Sequence, residues 1–234
     1  MSNITLEEAL AEIRTHFDVS FEQMSVDGAP LDVLSIRNMT QHLDSLIARK
    51  TIHNPLKDLP LWAKVWPASF VLGRYLRKLN PEGKTLLEIG AGCGIAGCIA
   101  ARYGFSRVIV SDIVEDALLF AQANVLQNNL AERVDVRRVD VTAPRLEERF
   151  DVLAASEILY LEELHRPLIK FVGRHLASGG KAVFCTDLAR RRKHFFKLAA
   201  REFSVAEQLV GVRSKSEDGT EERRVYAIHT LEFK

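Results

Sequence analysis

Between Leu86 and Gly97 the chain reads Leu-Leu-Glu-Ile-Gly-Ala-Gly-Cys-Gly-Ile-Ala-Gly, and this stretch decides the fold. An apolar run typical of a buried strand leads into clustered glycines and then into a helical pattern. Glycine lacks a Cβ, so it allows positive φ and lets a ligand approach the main chain. The following helix offers unpaired N–H groups and a positive dipole end. The stretch therefore predicts a strand–turn–helix unit with a ligand at the turn.

Outward from this unit, apolar runs alternate with helical segments as far as Glu202. The predicted strands are Thr85–Ile89, Val108–Ser111, Val134–Val139, Phe150–Ala155 and Ala182–Thr186. The predicted helices are Gly94–Tyr103, Glu115–Asn128, Leu161–Leu176 and Lys193–Glu202. Such alternation predicts an α/β fold, in which a doubly wound, mostly parallel sheet has helices on both faces. Two last runs, Val205–Val212 and Arg223–Leu231, flank the polar loop Arg213–Glu222 and predict a closing antiparallel hairpin.

Residues 1–80 differ from this pattern and predict an N-terminal α+β extension, which leaves residues 81–234 as the main domain. Thr5 and Glu8 have the spacing of a capping box for a helix to about His16. Asp27-Gly28 predicts a tight turn between strands Phe21–Val26 and Leu31–Ile36. The remaining predictions are a helix over Asn38–Lys50, a loop over Thr51–Leu61 and a helix from Pro67 to Leu79.

Composition excludes several classes of protein. Hydrophobic residues make up 47% and charged residues 27% of the 234, so the chain can bury a core. Lys and Arg number 32 against 31 Asp and Glu, a balance that disfavours nucleic acid as a partner. The longest stretch without charge, Ala117–Ala131, is too short and polar for a membrane span. The acidic start of the chain lacks the pattern of a secretory signal, and three cysteines form neither a disulfide framework nor a zinc site, so we expect a cytoplasmic protein.

Two ligand patterns fit the glycines. Gly92, Gly94 and Gly97 match the G-x-G-x-x-G pattern of dinucleotide sites. Asp112 lies 20 residues after Gly92, the distance expected of an acid that binds a ribose. An NAD-binding protein is therefore one alternative.

The second pattern is G-x-G-x-G, formed by Gly90, Gly92 and Gly94 with Ala91 between the first two, and it is typical of S-adenosylmethionine (SAM) sites. Gly90 directly follows the strand, whereas the dinucleotide pattern leaves an unexplained insertion before its first glycine. Glu88 would oppose a pyrophosphate but could hold the methionine ammonium, directly or through water. The closing hairpin belongs to the seven-strand methyltransferase sheet rather than the six-strand dinucleotide sheet. These features favour SAM as the cofactor.

Further cofactor contacts are predicted at the ends of the next two strands. Asp112 would accept hydrogen bonds from both ribose hydroxyls, or else cap the helix that follows Val114. Ile113 and Val141 would sandwich the adenine, and Asp140 would accept from its amine. The alternatives are ordinary core packing for Ile113 and Val141 and a loop acid without a ligand for Asp140.

Residues 84–234 resemble a seven-β-strand, class I SAM-dependent methyltransferase. Within that superfamily the chain resembles the family-16 protein-lysine methyltransferases, which include those acting on chaperones and on electron-transfer flavoprotein. The motifs that carry the resemblance are Trp66-Pro-Ala-Ser69, Leu87-Glu-Ile-Gly-Ala-Gly-Cys-Gly94, Ser111-Asp112, Asn124 and Glu157-Ile-Leu-Tyr160. The family commonly has Asp-x-x-Tyr, so Glu157 is longer by one methylene and could shift the target amine. The resemblance implies a protein substrate with a target lysine, and the extension would then be a lid on the substrate side.

The chemistry needs alignment of two reactants and few catalytic groups. A lysine amine, with an ordinary pKa near 10.4, must arrive neutral or lose its proton in the site. Glu157 and Tyr160 follow the fourth strand at its carboxyl end and are the predicted catalytic residues. Ser156 and Trp66 are predicted cofactor contacts, with Trp66 roofing the cofactor or the lysine channel. The alternatives are a solvated acid for Glu157, a packed ring for Tyr160 and core packing beside Trp62 for Trp66.

Other functions stay open at this point. The acceptor could be a small molecule or RNA, and the chain could be a SAM-binding or NAD-binding module without turnover. Ser156-Glu-Ile-Leu stands where amide and exocyclic-amine methyltransferases carry an Asn/Asp-Pro-Pro-Tyr/Phe motif, which counts against those classes. The basic run Arg190-Arg-Arg-Lys-His194 is interpreted as a solvated helix start, or else as a dock for an acidic protein or RNA.

Overall fold

A computed structural model describes residues 4–48, 59–215 and 221–234. Its helices are α1 (Leu6–Ile13), α2 (Met39–Ala48), α3 (Pro67–Leu76), α4 (Ile95–Arg102), α5 (Glu115–Gln127), α6 (His165–His175) and α7 (Lys193–Ala199). Its strands are β1 (Val19–Val26), β2 (Ala29–Ile36), β3 (Thr85–Ile89), β4 (Arg107–Asp112), β5 (Val134–Arg138), β6 (Phe150–Ser156), β7 (Leu176–Asp187), β8 (Phe203–Lys215) and β9 (Glu221–Phe233). Short 3₁₀ turns cover Leu61–Ala63, Arg77–Leu79, Glu162–Leu164 and Leu188–Arg190.

Seven strands form the main sheet in the order β5-β4-β3-β6-β7-β9-β8. Strands β3 to β7 pair in parallel, whereas β9 is antiparallel to both of its neighbours. The predicted parallel sheet with a closing antiparallel hairpin is therefore confirmed. Strand β7 begins at Leu176 rather than at Ala182, because it continues directly from the end of α6.

The sheet is covered on both faces, as the apolar runs of its central strands predict. On one face the buried side chains of α3, α4 and α5 form a cluster that also includes the extension. On the other face α6 and α7 pack with Leu87, Ile109 and Leu153. The successive residues Leu86 and Leu87 belong to different clusters, since neighbouring side chains of a strand point to opposite faces. Both faces of β3 are therefore buried, and the side chain of Glu88 on this strand is buried with them.

The extension contains the predicted elements. The capping box between Thr5 and Glu8 is present at the start of α1. Strands β1 and β2 pair through a turn in which Asp27 and Gly28 both have positive φ, at 50° and 83°, as a type I′ hairpin turn requires. The helix from Pro67 ends as an α-helix at Leu76, and a 3₁₀ turn continues it to Leu79. Residues 49–58, which include most of the predicted loop, lie outside the described part of the chain. The division into residues 1–80 and 81–234 stays a prediction.

Two helices of the main domain are shorter than the sequence predicts. Residues Glu162–Leu164 form a 3₁₀ turn, so α6 begins at His165 and has Pro167 in its first turn, where a missing N–H costs nothing. Helix α7 ends at Ala199 instead of Glu202. Neither change moves a predicted site residue.

Aromatic packing fastens the extension to α5. The Trp62 ring lies edge-on to the rings of Phe17 and Phe120, with centroid distances of 5.8 and 5.0 Å. Phe120 belongs to α5 and is fully buried. Rings arranged edge-to-face stabilise one another beyond their buried area. Residues before the sheet therefore share its core.

Asn124 of α5 links the extension to the glycine turn. Its side chain is 2% exposed, and its Nδ2 donates to the carbonyl oxygen of Cys93 at 2.9 Å. Its Oδ1 accepts from the backbone N–H of Leu34 in β2 at 2.7 Å. One turn later, Asn128 donates to the carbonyl of Asp32 at 2.7 Å. Asparagines on one helix face thus hold both β2 and the turn.

We expect Asn124→Leu to lower the free energy of unfolding by about 2–4 kcal/mol, because it leaves two buried backbone groups without partners. Urea unfolding measures this difference. Gln122→Leu on the same helix is the matched control, and it should stay within about 0.5 kcal/mol of wild type. Equal losses in the two variants would contradict the proposed link.

Candidate active site at the carboxyl ends of the strands

The turn between β3 and α4 is built on glycines with left-handed backbone. Gly90, Gly92 and Gly94 have φ of 59°, 53° and 72°. A Cβ on Gly90 would lie 2.7 Å from Cγ2 of Ile158, and one on Gly92 would lie 2.7 Å from the carbonyl oxygen of Trp62. Both the backbone angles and the space therefore require glycine. The turn is packed from one side by the segment after β6 and from another by the extension.

Backbone hydrogen bonds close the turn. Ala91 donates its N–H to the carbonyl of Ser111 at 2.9 Å, and Gly94 donates to the carbonyl of Ala91 at 2.9 Å. The Ser111 hydroxyl donates to the carbonyl of Glu88 at 2.6 Å. These bonds join the ends of β3 and β4, so the turn is preformed.

Asp112 accepts three backbone N–H groups at the end of β4. Its Oδ2 accepts from Gly92 at 2.8 Å, and its Oδ1 accepts from Ile113 at 2.7 Å and Val114 at 3.1 Å. The alternative interpretation as a helix cap is wrong, because α5 begins at Glu115 with Val114 in the cap position. A carboxylate has about four acceptor sites, so about one remains for a ligand. The ribose contact itself stays a prediction.

Glu88 is a buried acid beneath the turn. Its side chain is 0% exposed, and its Oε2 accepts from the N–H of Gly97 in the first turn of α4 at 2.7 Å. Its Oε1 is buried and has no hydrogen-bond partner among the described residues. Burial raises the pKa of Glu88 to about 8, against the opposing effect of the Gly97 hydrogen bond. An orphaned acceptor of this kind suits a cationic ligand group or a water molecule.

The predicted adenine contacts follow neighbouring strands. The backbone N–H of Val139 donates to the carbonyl of Asp112 at 3.0 Å, which brings the end of β5 beside that acid. Ile113 is 49% exposed, so its side chain is available to a ligand. Val141 is partly buried against the α6 and α7 face. Asp140 accepts from the N–H of Thr142 at 2.8 Å and from its hydroxyl at 2.6 Å, and these bonds lower the pKa of Asp140.

Glu157 is held between the ends of β6 and β7. Its backbone has a φ of 55°, and its N–H donates to the carbonyl of Cys185 at 3.0 Å. Its Oε1 accepts from the N–H of Asp187 at 2.8 Å and from Nη2 of Arg190 at 2.9 Å, and its Oε2 accepts from Nε of Arg190 at 3.0 Å. The side chain is 11% exposed. The interpretation of Glu157 as a solvated loop acid is therefore wrong. Arg190 is 45% exposed, as predicted for the basic run, but it lies in the Leu188–Arg190 turn before the helix and is paired with Glu157.

The other two residues of this segment face different neighbours. The hydroxyls of Ser156 and Ser69 lie 3.0 Å apart, which joins the end of β6 to the start of α3. Tyr160 is 43% exposed. Burial raises the pKa of its phenol, and the charge of Asp112 adds to the effect, so the ring lies within electrostatic reach of the end of β4.

Trp66 lies against cations. Its indole Nε1 donates to the carbonyl of Leu61 at 2.9 Å. The Lys64 ammonium and the Arg190 guanidinium lie 4.9 and 5.3 Å from the ring centroid. Trp66 is partly buried, and within the described residues no ring contact joins it to Trp62. The ring forms part of the surface around the Glu157–Arg190 pair.

The structure brings the predicted residues together at one edge of the sheet, at the carboxyl ends of β3, β4, β5 and β6. In the described residues no group of acidic, histidine and cysteine side chains is arranged to hold a metal ion. The preformed glycine turn, the spare acceptor capacity of Asp112 and the orphaned Oε1 of Glu88 fit an adenosyl ligand that carries an ammonium group. Among the helices in the described ranges, none has the length and hydrophobicity of a membrane span.

Comparison with solved structures agrees with this fold. The chain superposes on a TehB-like SAM-dependent methyltransferase from Corynebacterium glutamicum with a TM-score of 0.54 and 16% identity, covering 83% of this chain and all (100%) of that one. The sheet order and the antiparallel β9 separate this fold from the six-strand dinucleotide sheet. The chain therefore has the fold of the class I SAM-dependent methyltransferases.

The family follows from sequence comparison. A family model described as lysine methyltransferase matches residues 51–202. The protein N-lysine methyltransferase METTL21A of Danio rerio is 33% identical over 163 residues, which are 64% of this chain and 72% of the relative. The electron transfer flavoprotein beta subunit lysine methyltransferase of Danio rerio is 30% identical over 174 residues, 69% and 66% of the two chains. The chain belongs to the lysine methyltransferase family, and SAM is its cofactor.

The sequence patterns did not predict several contacts of the site. The pairing of Glu157 with Arg190 was missed, because a basic run is usually solvated. The contact between Ser156 and Ser69 had a partial signal, since Ser69 lies in a motif of the resemblance and Ser156 directly precedes another. No sequence signal indicated that the Trp62 carbonyl approaches Gly92, because contacts of the backbone leave no pattern of residue types.

We expect Asp112→Asn to weaken binding of S-adenosylhomocysteine (SAH) by about 10–100-fold, the cost of a lost hydrogen bond to a charged group. Isothermal titration calorimetry measures the affinity. Asp116→Asn, an exposed acid in the first turn of α5, is the matched control and should bind SAH like wild type. A folded Asp112→Asn protein with unchanged affinity would remove Asp112 from the cofactor site.

We also expect SAH binding at pH 7 to release a proton. The pKa of Glu88 is about 8, so its carboxyl is mostly protonated in the free chain, and an ammonium beside Oε1 would favour the ionised form. SAH affinity should therefore rise with pH and level off above about pH 8. Calorimetry in buffers of different ionisation enthalpy counts the protons. Glu88→Gln should release none at this position, and equal release from both proteins would show that the ammonium does not reach Glu88.

Proposed function

We propose that this chain transfers a methyl group from SAM to the side-chain amine of a lysine in a protein substrate. The observation that carries the proposal is the Glu157 carboxylate, which is held at the carboxyl end of β6 beside the glycine turn. The chain belongs to the lysine methyltransferase family, and two relatives are named for protein lysine methylation. The family match and the names of these relatives support a protein as the methyl acceptor.

In this proposal the cofactor is held by the residues predicted from the sequence. The glycine turn and Ala91 would contact its methionine part, and Asp112 its ribose. When bound, SAM supplies a sulfonium methyl group, and the amine lone pair forms the new N–C bond as the S–C bond breaks and leaves its electrons on sulfur. The residues proposed for the adenine and for the closure of the site are Ile113, Asp140, Val141, Ser156 and Trp66.

Glu157 and Tyr160 would orient the acceptor. Glu157 already accepts three hydrogen bonds, so about one acceptor site remains on Oε2 for an amine N–H. The Tyr160 phenol is partly exposed and would accept a second N–H. An ammonium has no lone pair to attack with, so its proton must leave to solvent before transfer. The protein thus contributes geometry and exclusion of water rather than a covalent step.

We propose the extension as the lid on the substrate side. The Trp62 carbonyl lies against Gly92, and Trp66 lies against Arg190 beside Glu157. Residues of this segment therefore reach both the cofactor turn and the acceptor position. The three cysteines are free and buried, which supports our proposal of a reducing, cytoplasmic setting.

Incubation of the purified protein with [methyl-³H]SAM and a cell lysate tests this function. We expect label in protein that survives nuclease and is lost with protease, and we expect methyllysine after acid hydrolysis. Label that nuclease removes would favour RNA, and label in the small-molecule fraction would favour a metabolite. Either outcome would contradict the proposal.

Glu157→Gln should keep SAH affinity within about threefold and lower the labelling rate by at least tenfold, and Tyr160→Phe should act in the same direction. Calorimetry and the labelling assay measure the two quantities separately. Glu162→Gln, an exposed acid in the following 3₁₀ turn, is the control and should label like wild type. Equal loss of SAH affinity and transfer in Glu157→Gln would place this acid in the cofactor site.

A further inference from the structure

Arg190 contacts several groups on the acceptor side of the site. Its Nε and Nη2 bind the two oxygens of Glu157 at 3.0 and 2.9 Å, a bidentate pair. Its guanidinium lies 5.3 Å from the ring centroid of Trp66. The hydrogen bonds to Glu157 raise the pKa of Arg190 further above its usual range. One cation thus connects the end of β6 to the extension.

Other charged and titratable groups surround this pair. The Oδ2 of Asp187 lies 3.6 Å from Nη2 of Arg190, and Lys64 lies on the Trp66 ring. Burial raises the pKa values of Cys185 and Tyr226, which also lie near this pair and stay neutral at pH 7. The acids at the end of β7 and at Glu157 therefore share one bidentate cation. Removal of Arg190 would leave a net negative surface where the amine is proposed to arrive.

We infer that Arg190 is a positioning residue for methyl transfer, which aims the Glu157 carboxylate at the acceptor and cancels its charge so that the arriving amine sheds its proton more readily. This inference rests on the proposed function. It goes beyond that function, because it assigns the control of the amine's protonation to a residue that acts through Glu157.

The sign of the effect follows from electrostatics. An unpaired carboxylate stabilises an ammonium and raises the pKa of the amine, which keeps the lone pair blocked. A carboxylate paired with a guanidinium has little net charge but keeps an acceptor site for an N–H. The position of Oε2 is also fixed, because both oxygens are held and the Glu157 backbone is tied to Cys185. Arg190 would therefore lower the pKa of the amine without loss of orientation.

The test is the pH dependence of kcat for Arg190→Gln and Arg190→Lys, measured from pH 6 to 10 with the acceptor protein identified by labelling. We expect Arg190→Gln to move the acidic limb of the profile up by about one pH unit, the effect of one nearby charge. Arg190→Lys keeps the charge but not the bidentate geometry, so its limb should stay near wild type while its kcat falls. SAH affinity should stay within about threefold of wild type in both. Arg192→Gln, in the same basic run, is the matched control and should leave the limb unmoved.

Three outcomes would overturn the inference. A lower kcat with an unmoved limb in Arg190→Gln would mean a structural role alone. A higher kcat/KM would mean that Arg190 competes with the lysine for Glu157. A limb in Arg190→Lys that is shifted up by about one pH unit from wild type would exclude the charge as the cause, and this comparison with wild type decides the matter also where Arg190→Gln does not fold. Failure of the wild-type protein to label any lysine is a different result, which defeats the proposed function itself.

Discussion

The hydrogen bond from the N–H of Gly92 to the Asp112 carboxylate is the constraint on which the site depends. It joins the turn after β3 to the end of β4. The two ends lie side by side because β3 and β4 pair in parallel. The turn can reach Asp112 because its glycines adopt left-handed backbone that other residues rarely accept. The same carboxylate orders the start of the segment before α5. A single acid therefore shapes the turn before any ligand arrives.

A second constraint acts on the acceptor side. Glu157 occupies the left-handed region without being glycine, a conformation that costs on the order of 1 kcal/mol or more. Its backbone bond to Cys185 and its side-chain bonds to Asp187 and Arg190 offset that cost. Strain that is held in place by surrounding bonds is a common property of functional positions. The direction of the Glu157 carboxylate is thus fixed by its hydrogen-bond partners near the ends of β6 and β7.

The extension takes part in both constraints. Asn124 holds Cys93 of the turn and Leu34 of β2 with one buried amide, so the hairpin and the turn share a support. The Trp62 carbonyl packs on Gly92. The family match also begins at residue 51, before the first strand of the main sheet. The residues ahead of the sheet are therefore integral to the architecture of the site.

The amino-acid sequence by itself determined the α/β class, the parallel sheet with its closing hairpin, the glycine turn and the class of cofactor. These features follow from local patterns, since periodicity, glycine spacing and a strand-end acid are all read along the chain. Only the tertiary structure decided that Glu88 is buried with one orphaned oxygen, that Asn124 bridges two elements and that Glu157 is paired with Arg190. The partners in these contacts lie as far as 90 residues apart. Nothing in a local pattern records which distant groups the sheet order will bring together, because that depends on how the strands pair.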